Sequence, residues 1–349
     1  MTTRENTKSV KIKNITLGGN SKVFVQSMLN KPAEDARANL AQAKELQAAG
    51  CELIRLSVPN TEALKTVELL KEHIDVPLVA DIHFDYRLAL ECAKLGIDKI
   101  RINPGNIGSV EGVKQVAHAC SQKNIPIRIG VNSGSIEKQY LEKYGVCARA
   151  LFESAMGHVK LLNKYDFDDI VLSLKSSDVQ MMYDAYILAA NSCDYPLHLG
   201  VTEAGTLRSG TLKSAVGIGG LLLSGIGNTV RVSLTDDPVR EVQAANDILR
   251  AAGIKKEGIK IVSCPTCGRT KIDIIGLANA AEKALQNTDK NLTVAIMGCA
   301  VNGPGEAREA DIGIAGGDGE GILFKKGEIV KKVPEDEILN LLLQEIDRM

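Results

Sequence analysis

From Val23 to about Ala252 the chain repeats one unit, a short β-branched run followed by an amphipathic helical stretch. The strand candidates are VFVQSM (23–28), ELIRLSV (52–58), PLVADIH (77–83), KIRIN (99–103), PIRIGVN (126–132), DIVLSLK (169–175), PLHLGVT (196–202) and TVRVSL (229–234). Stretches such as DARANLAQAKELQAAG and DYRLALECAKLG separate them, several ending in glycine as a helix cap. Eight βα units over about 230 residues match a TIM (β/α)8 barrel in number and length. An open doubly wound sheet also alternates strands with helices, but it requires no regular count of eight. The opening VKIKNITLGGN reads as a hairpin turning at glycine, placed to close the barrel floor.

At 349 residues the chain is longer than one ordinary core needs. The Gly- and Lys-containing stretch AAGIKKEG (251–258) reads as a linker, dividing a barrel domain at 1–252 from a smaller α/β or α+β domain at 253–349. In that second domain IKIVS and LTVAIM read as strands, each running into a cysteine, with KIDIIGLANAAEKALQ as the helix between them. ADIGIAGGDGEGILFKKGEIVKKV reads as strands joined by glycine turns, and PEDEILNLLLQEIDRM as a closing helix with Pro in its first turn.

The barrel strands are the wrong composition for a packed interior. Strands of a parallel barrel are covered on both faces and should be almost wholly apolar. Seven of these eight alternate instead, with polar residues on one parity: Arg55 and Ser57, Asp81 and His83, Arg101 and Asn103, Arg128 and Asn132, Ser173 and Lys175, His198 and Thr202, Arg231 and Ser233. Successive residues of a strand face opposite ways. The apolar parity must cover the outer helices, so the polar parity points inward; only the first strand is ambiguous. Arg55, Arg101, Arg128, Lys175 and Arg231 then converge near the C-terminal mouth, with Asp81 and the nearby Glu203 as counter-charges. Uncompensated buried charge costs several kcal/mol even after relaxation. The excess calls for a bound anion, a diphosphate above all. Arginine forks match its oxygens, and Asn103, Asn132 and Ser233 add neutral donors. Internal salt bridges with the excess charge reaching out to solvent are the plainer alternative. Asp81, His83 and Glu203 are the groups in this cup able to move protons; His198 reads as structural.

The bulk composition removes other classes. A net charge of −1 provides no general field for nucleic acid or a membrane surface, and 3% aromatics without Trp provide no stacking platform. MTTRENTKSV has no signal core, and no apolar run reaches about 18 residues. A cytoplasmic protein with reduced thiols is expected, so its eight cysteines suggest metal or catalysis before disulfides.

Cys264-Pro-Thr-Cys267 and Cys299 lie late in the chain, each at a strand end. A thioredoxin-type pair explains the first two thiols but not the third. A structural zinc site needs a fourth Cys or His, and none follows Cys299. An iron–sulfur cluster tolerates one atypical ligand. Gly303-Pro304-Gly305 turns the chain so that Glu306 could return as that ligand, a harder donor that iron could exchange for a substrate oxygen. A solvated loop carboxylate is the alternative for Glu306. Cys51, Cys92, Cys120, Cys147 and Cys193 read as small buried apolar residues.

The linker leaves the last barrel helix at the floor. Its eight or so residues reach at most about 28 Å, whereas the cup lies past a helix of about 22 Å plus loops. A second subunit placed head to tail would bring its thiols over the first subunit's mouth, which predicts a homodimer with active sites between chains.

ADIHFDYRLAL, RINPGNIG, GVNSGS, LSLKSS, LGVTEAG, SCPTCGR and MGCAVNGPGEA, spread in order along nearly the whole chain, resemble the 4-hydroxy-3-methylbut-2-enyl diphosphate synthase family of the non-mevalonate isoprenoid pathway, in its short bacterial form. The resemblance implies a TIM barrel followed by a cluster domain, in a dimer. It implies a 4Fe–4S cluster held by Cys264, Cys267, Cys299 and Glu306. It implies that Arg55, Arg101, Arg128, Lys175 and Ser233 hold the substrate diphosphate and that Glu203 is an acid–base group. The implied reaction opens 2-C-methyl-D-erythritol 2,4-cyclodiphosphate reductively, with a flavodoxin or ferredoxin as electron donor. Two rivals remain at this stage: a non-redox barrel enzyme of the pteroate-synthase type with a structural zinc appendage, and a non-enzymatic electron carrier.

Overall fold

A computed structural model describes all residues except 104–106, 108–109, 286–287, 289, 300–306 and 318. The chain divides into two compact units, Met1–Ile254 and Lys255–Met349.

In the first unit a short hairpin, β1 (Val10–Ile12) and β2 (Ile15–Leu17), precedes eight parallel strands. These are β3 (Phe24–Met28), β4 (Leu53–Ser57), β5 (Leu78–Ile82), β6 (Lys99–Ile102), β7 (Ile127–Asn132), β8 (Ile170–Lys175), β9 (His198–Leu199) and β10 (Thr229–Val230). They run β8-β7-β6-β5-β4-β3-β10-β9 around the sheet, and a parallel bridge from Leu172 to Leu197 joins its two ends. The TIM barrel expected from the βα count is therefore present. The helices lie outside it: α1 (Ala36–Ala48), α2 (Leu64–His73), α3 (Tyr86–Lys94), α4 (Val110–Lys123), the pair α5 (Lys138–Tyr144) and α6 (Ala148–Asn163), α7 (Val179–Ser192), α8 (Leu207–Leu223) and α9 (Pro238–Ala251). Aspartates start several of them. The side chains of Asp35, Asp178 and Asp237 accept the otherwise unpaired N–H groups of Ala38, Met181 and Val239. Pro238 follows Asp237 at the first position, where its missing N–H costs nothing.

The apolar parity of the strands packs against the helices, including Ile54, Ile100, Ile129 and Leu172. The floor is a separate cluster, in which Val10, Ile12 and Leu17 of the hairpin meet Phe24, Leu53, Val79 and Val171 from inside the barrel. The last two strands are shorter than the expected 196–202 and 229–234. Their pairing gives way to other bonds: Thr202 N–H reaches Ser176 O, and Leu234 N–H goes to the Glu241 carboxylate of α9 at 3.0 Å.

The second unit is a five-stranded sheet in the order β11 (Lys260–Ser263), β12 (Thr293–Met297), β13 (Ile312–Gly316), β14 (Glu320–Lys325) and β15 (Glu328–Pro334). The first three strands are parallel and the last three antiparallel. Helices α10 (Ile274–Leu285) and α11 (Ile338–Asp347) cover one face through Ile274, Ala281, Ile338 and Leu342. The closing helix starts later than expected. Pro334 ends β15, and Glu335–Glu337 form a 3-10 turn before α11.

Ile12 is wholly buried in the floor cluster. Ile12→Ala is expected to cost about 2–5 kcal/mol, read as a lowered urea midpoint of the barrel unit.

Candidate active site

Parity carries polar side chains into the barrel from seven strands, and the interior is organised around Asp81 of β5. Asp81 is wholly buried. Its carboxylate meets Arg55 Nη2 at 2.5 Å, His83 Nε2 at 2.9 Å and Arg101 Nη1 at 3.0 Å. Arg101 also donates from Nη2 to Gly130 O at 3.0 Å. Burial alone would raise the Asp81 pKa, but Arg55, His83 and Arg101 overcome it and hold the carboxyl well below its ordinary range. An ionised Asp81 only accepts hydrogen bonds, so His83 Nε2 carries the proton and Nδ1 is the nitrogen left for exchange.

Arg231 pairs with a carboxylate from outside the strands. Glu241 on α9, itself buried, lies 3.3 Å from the guanidinium and also accepts from Ser27 Oγ at 2.9 Å. Glu203 is exposed, in left-handed backbone with φ 51°, and makes no ion pair among the described residues. The counter-charge in the cup is thus Glu241, where the sequence suggested Glu203.

Lys175 and Arg128 have no such relief. Lys175 is 6% exposed and forms no hydrogen bond or ion pair among the described residues; Arg128 is 1% exposed with Nε and Nη1 unpartnered. Burial lowers both pKa values well below normal, and neighbouring cations add to the effect. Two inward glycines lie close against Arg101 and Lys175. A Cβ at Gly130 would stand 2.6 Å from Arg101 Nε, and one at Gly200 would stand 2.6 Å from Lys175 Nζ.

The neutral donors are placed unequally. Asn103 is buried, donating to Ser135 Oγ at 3.2 Å. The Asn132 side chain caps the turn Ser133–Ser135 by accepting the Ser135 N–H. Ser233 is half-buried beyond the end of β10. Sequence reasoning passed over three inward or inward-reaching groups: Gln26, Lys99 and Glu241. Lys99 shares the parity of Arg101 and was legible from it.

In the second unit, parallel pairing of β11 with β12 brings the thiol-bearing segments together at one end of the sheet. Gly298 N–H donates to Cys264 Sγ at 3.2 Å, and Lys271 N–H donates to Gly298 O at 2.9 Å. Cys299 is buried, Cys264 half-buried and Cys267 exposed. The backbone N–H and side chain of Arg269 draw the Cys267 thiol below its ordinary value, favouring the thiolate that a metal binds. Glu306 lies outside the described residues. Among the described residues no three Cys, His, Asp or Glu side chains close on a single ion. Thiolates are the donors that both zinc and iron–sulfur clusters take. Of the other thiols, Cys51, Cys92 and Cys120 are buried and pushed up to about 12 by burial, as inert core residues are.

Fold and site together define a TIM-barrel protein that gathers buried cations inside its barrel and is followed in the chain by a second, thiol-bearing α/β unit. Solved structures agree on the fold. Yersinia pestis dihydropteroate synthase is 15% identical, with TM-score 0.50 over 70% of this chain and 98% of that one. Its structure with a sulfonamide drug gives TM-score 0.52 over 71% and 100%. That likeness shows the barrel architecture alone. The GcpE TIM-barrel domain matches residues 7–246 and the GcpE protein C-terminal domain matches residues 260–348, so the chain belongs to the GcpE family. A Clostridium acetobutylicum relative named 4-hydroxy-3-methylbut-2-en-1-yl diphosphate synthase (flavodoxin) is 56% identical over 99% of both chains. A Fusobacterium nucleatum relative of the same name is 57% identical over 97% of this chain and 96% of its own.

Asp81→Asn removes the carboxylate shared by two arginines and is expected to cost about 3–5 kcal/mol. A carboxyl with a lower pKa folded than unfolded releases protons on folding. Its contribution is therefore complete above about pH 4 and fades as pH falls through the folded value. Denaturant titrations across that range are expected to converge for the two proteins in acid and to separate toward neutrality.

Proposed function

We propose that the chain catalyses the two-electron reductive opening of 2-C-methyl-D-erythritol 2,4-cyclodiphosphate to (E)-4-hydroxy-3-methylbut-2-en-1-yl diphosphate, an isoprenoid precursor. Two electrons and two protons enter and one water leaves. The full-length likeness to relatives bearing that product's name supports the reaction. The observation that carries the substrate half is the pair of buried cations, Lys175 and Arg128, with no carboxylate of their own.

Lys175 and Arg128 take phosphoryl oxygens, and Arg55 and Arg101, aimed by Asp81, add bidentate forks. Arg231 is held by Glu241 at the rim, with Asn103, Asn132 and Ser233 beside it. Fixing both phosphates positions the reacting carbon, so binding energy lowers the barrier. His83 exchanges a proton at Nδ1 while Asp81 holds Nε2. Glu203 holds the proton for the departing hydroxyl at a carboxylate oxygen. Cys264, Cys267, Cys299 and Glu306 would hold a 4Fe–4S cluster. When bound, the cluster supplies electrons one at a time and a Lewis-acidic iron. A flavodoxin, as the relatives' name states, or a ferredoxin delivers those electrons to it. Among the described residues no helix is long and apolar enough to cross a membrane, and the reduced thiols suit the cytoplasm. The short linker favours a head-to-tail homodimer whose active sites each take a barrel from one chain and thiols from the other.

Anaerobic turnover of the cyclodiphosphate with viologen reduced by dithionite tests the reading, and absence of product from the wild type overturns it. Lys175→Met and Cys267→Ser are each expected to be inactive alone. Mixed and allowed to exchange subunits, they regain up to about a quarter of wild-type activity if each site spans two chains of a two-fold dimer. No recovery places both halves of the site in one chain.

A further inference from the structure

Between the apolar floor and the cup lies a polar layer in which Lys99, His198 and Gln26 have no part in the reaction above. Lys99 opens β6 and faces inward; it is wholly buried, and its Nζ has no hydrogen-bond partner. His198 of β9 is wholly buried too. Its Nδ1 meets Thr229 Oγ1 at 2.8 Å while Nε2 has no partner. Gln26 of β3 is 1% exposed with neither amide atom bonded. Arg128 of β7 reaches this layer with its unpartnered Nε and Nη1. Below, Phe24, Leu53 and Val79 with the hairpin exclude water.

No carboxylate is left for these groups among the described residues. Asp81 of β5 is committed to Arg55 of β4, to Arg101 of β6 and to His83; Glu241 of α9 is committed to Arg231 of β10. Lys175 of β8 brings only more positive charge. A buried ammonium without a counter-ion is costly, and a lysine relieves the cost by losing its proton. Burial, with Arg128 second, drives Lys99 well below its ordinary value, and His198 is lowered likewise by burial and by Arg128, Lys175, Lys99 and Arg55.

We propose that this layer is a proton-loading site for the ligand: Lys99 stands as the free amine in the ligand-free protein and takes a proton from solvent at Nζ when a diphosphate seats in the cup above. The proposal rests on the reading of that cup as a diphosphate site. A dianion in a low-dielectric well restores the favourable potential that burial removed. The loaded ammonium then holds the ligand from beneath without touching it. By linkage, with one proton taken up per ligand, binding weakens about tenfold for each unit rise in pH once the amine is unloaded in the free protein.

Calorimetry of the oxidised holoenzyme with the cyclodiphosphate, without reductant, reads the uptake directly. Each phosphorus of the cyclic compound carries one strongly acidic hydroxyl, so the ligand itself does not titrate near neutrality. Binding enthalpies at pH 8, in buffers of different ionisation enthalpy, count the protons. The wild type is expected to take up protons, with Lys175 contributing beside Lys99. Lys99→Met and the polar Lys99→Gln are both expected to bind with the same smaller count, which separates charge from packing. No uptake by the wild type, or an unchanged count in both variants, overturns the proposal. A ligand that does not bind at all overturns the diphosphate reading instead.

Discussion

The carboxylate of Asp81 takes Arg55, Arg101 and His83 at once inside a wholly buried site. That contact lets a barrel floored by Phe24, Leu53 and Val79 change from apolar to cationic within a few residues of each strand. It aims two guanidinium groups and fixes the histidine tautomer. It does not neutralise the interior. Lys175, Arg128 and Lys99 stay buried without carboxylate partners among the described residues, and Gly130 and Gly200 lie close against Arg101 and Lys175. Such an interior is costly for the protein alone.

The second unit solves a different problem with the same device, a parallel strand pair ending at reactive side chains. Pairing of β11 with β12 sets Cys264 beside the Gly298 N–H, and that bond to sulfur is of the kind that tunes an iron–sulfur centre. Arginine at 269 favours the exposed thiolate of Cys267. The GcpE family joins this unit to the barrel in a single chain, as the matches over 7–246 and 260–348 record.

Much of this was legible in the sequence because strand periodicity is a geometric fact. Once seven strands alternate, the inward set follows, and Asp81, Arg101, Arg128 and Lys175 are buried where parity puts them. Lys99 obeys the same parity and was passed over only because it stands at the first position of its strand. Glu241 was not legible. It sits on the buried side of α9, and its reach to Arg231 depends on how that helix packs across the barrel wall. The same contact takes the Leu234 N–H and cuts short a strand that β-propensity alone extends to 234. Glu203 reads as a cup residue by its place after β9, but a left-handed backbone turns the chain there and leaves it exposed. Glu306 lies outside the described residues.

Thermal unfolding with and without inorganic pyrophosphate tests the cationic interior most directly, because a ligand bound only by the folded state raises the melting temperature. If Arg128 is an unpaired charge kept for an anion, Arg128→Met melts higher than wild type without pyrophosphate and gains little when it is added, whereas the wild type gains substantially. An Arg128→Met protein that melts lower than wild type yet keeps the full pyrophosphate shift would contradict the account.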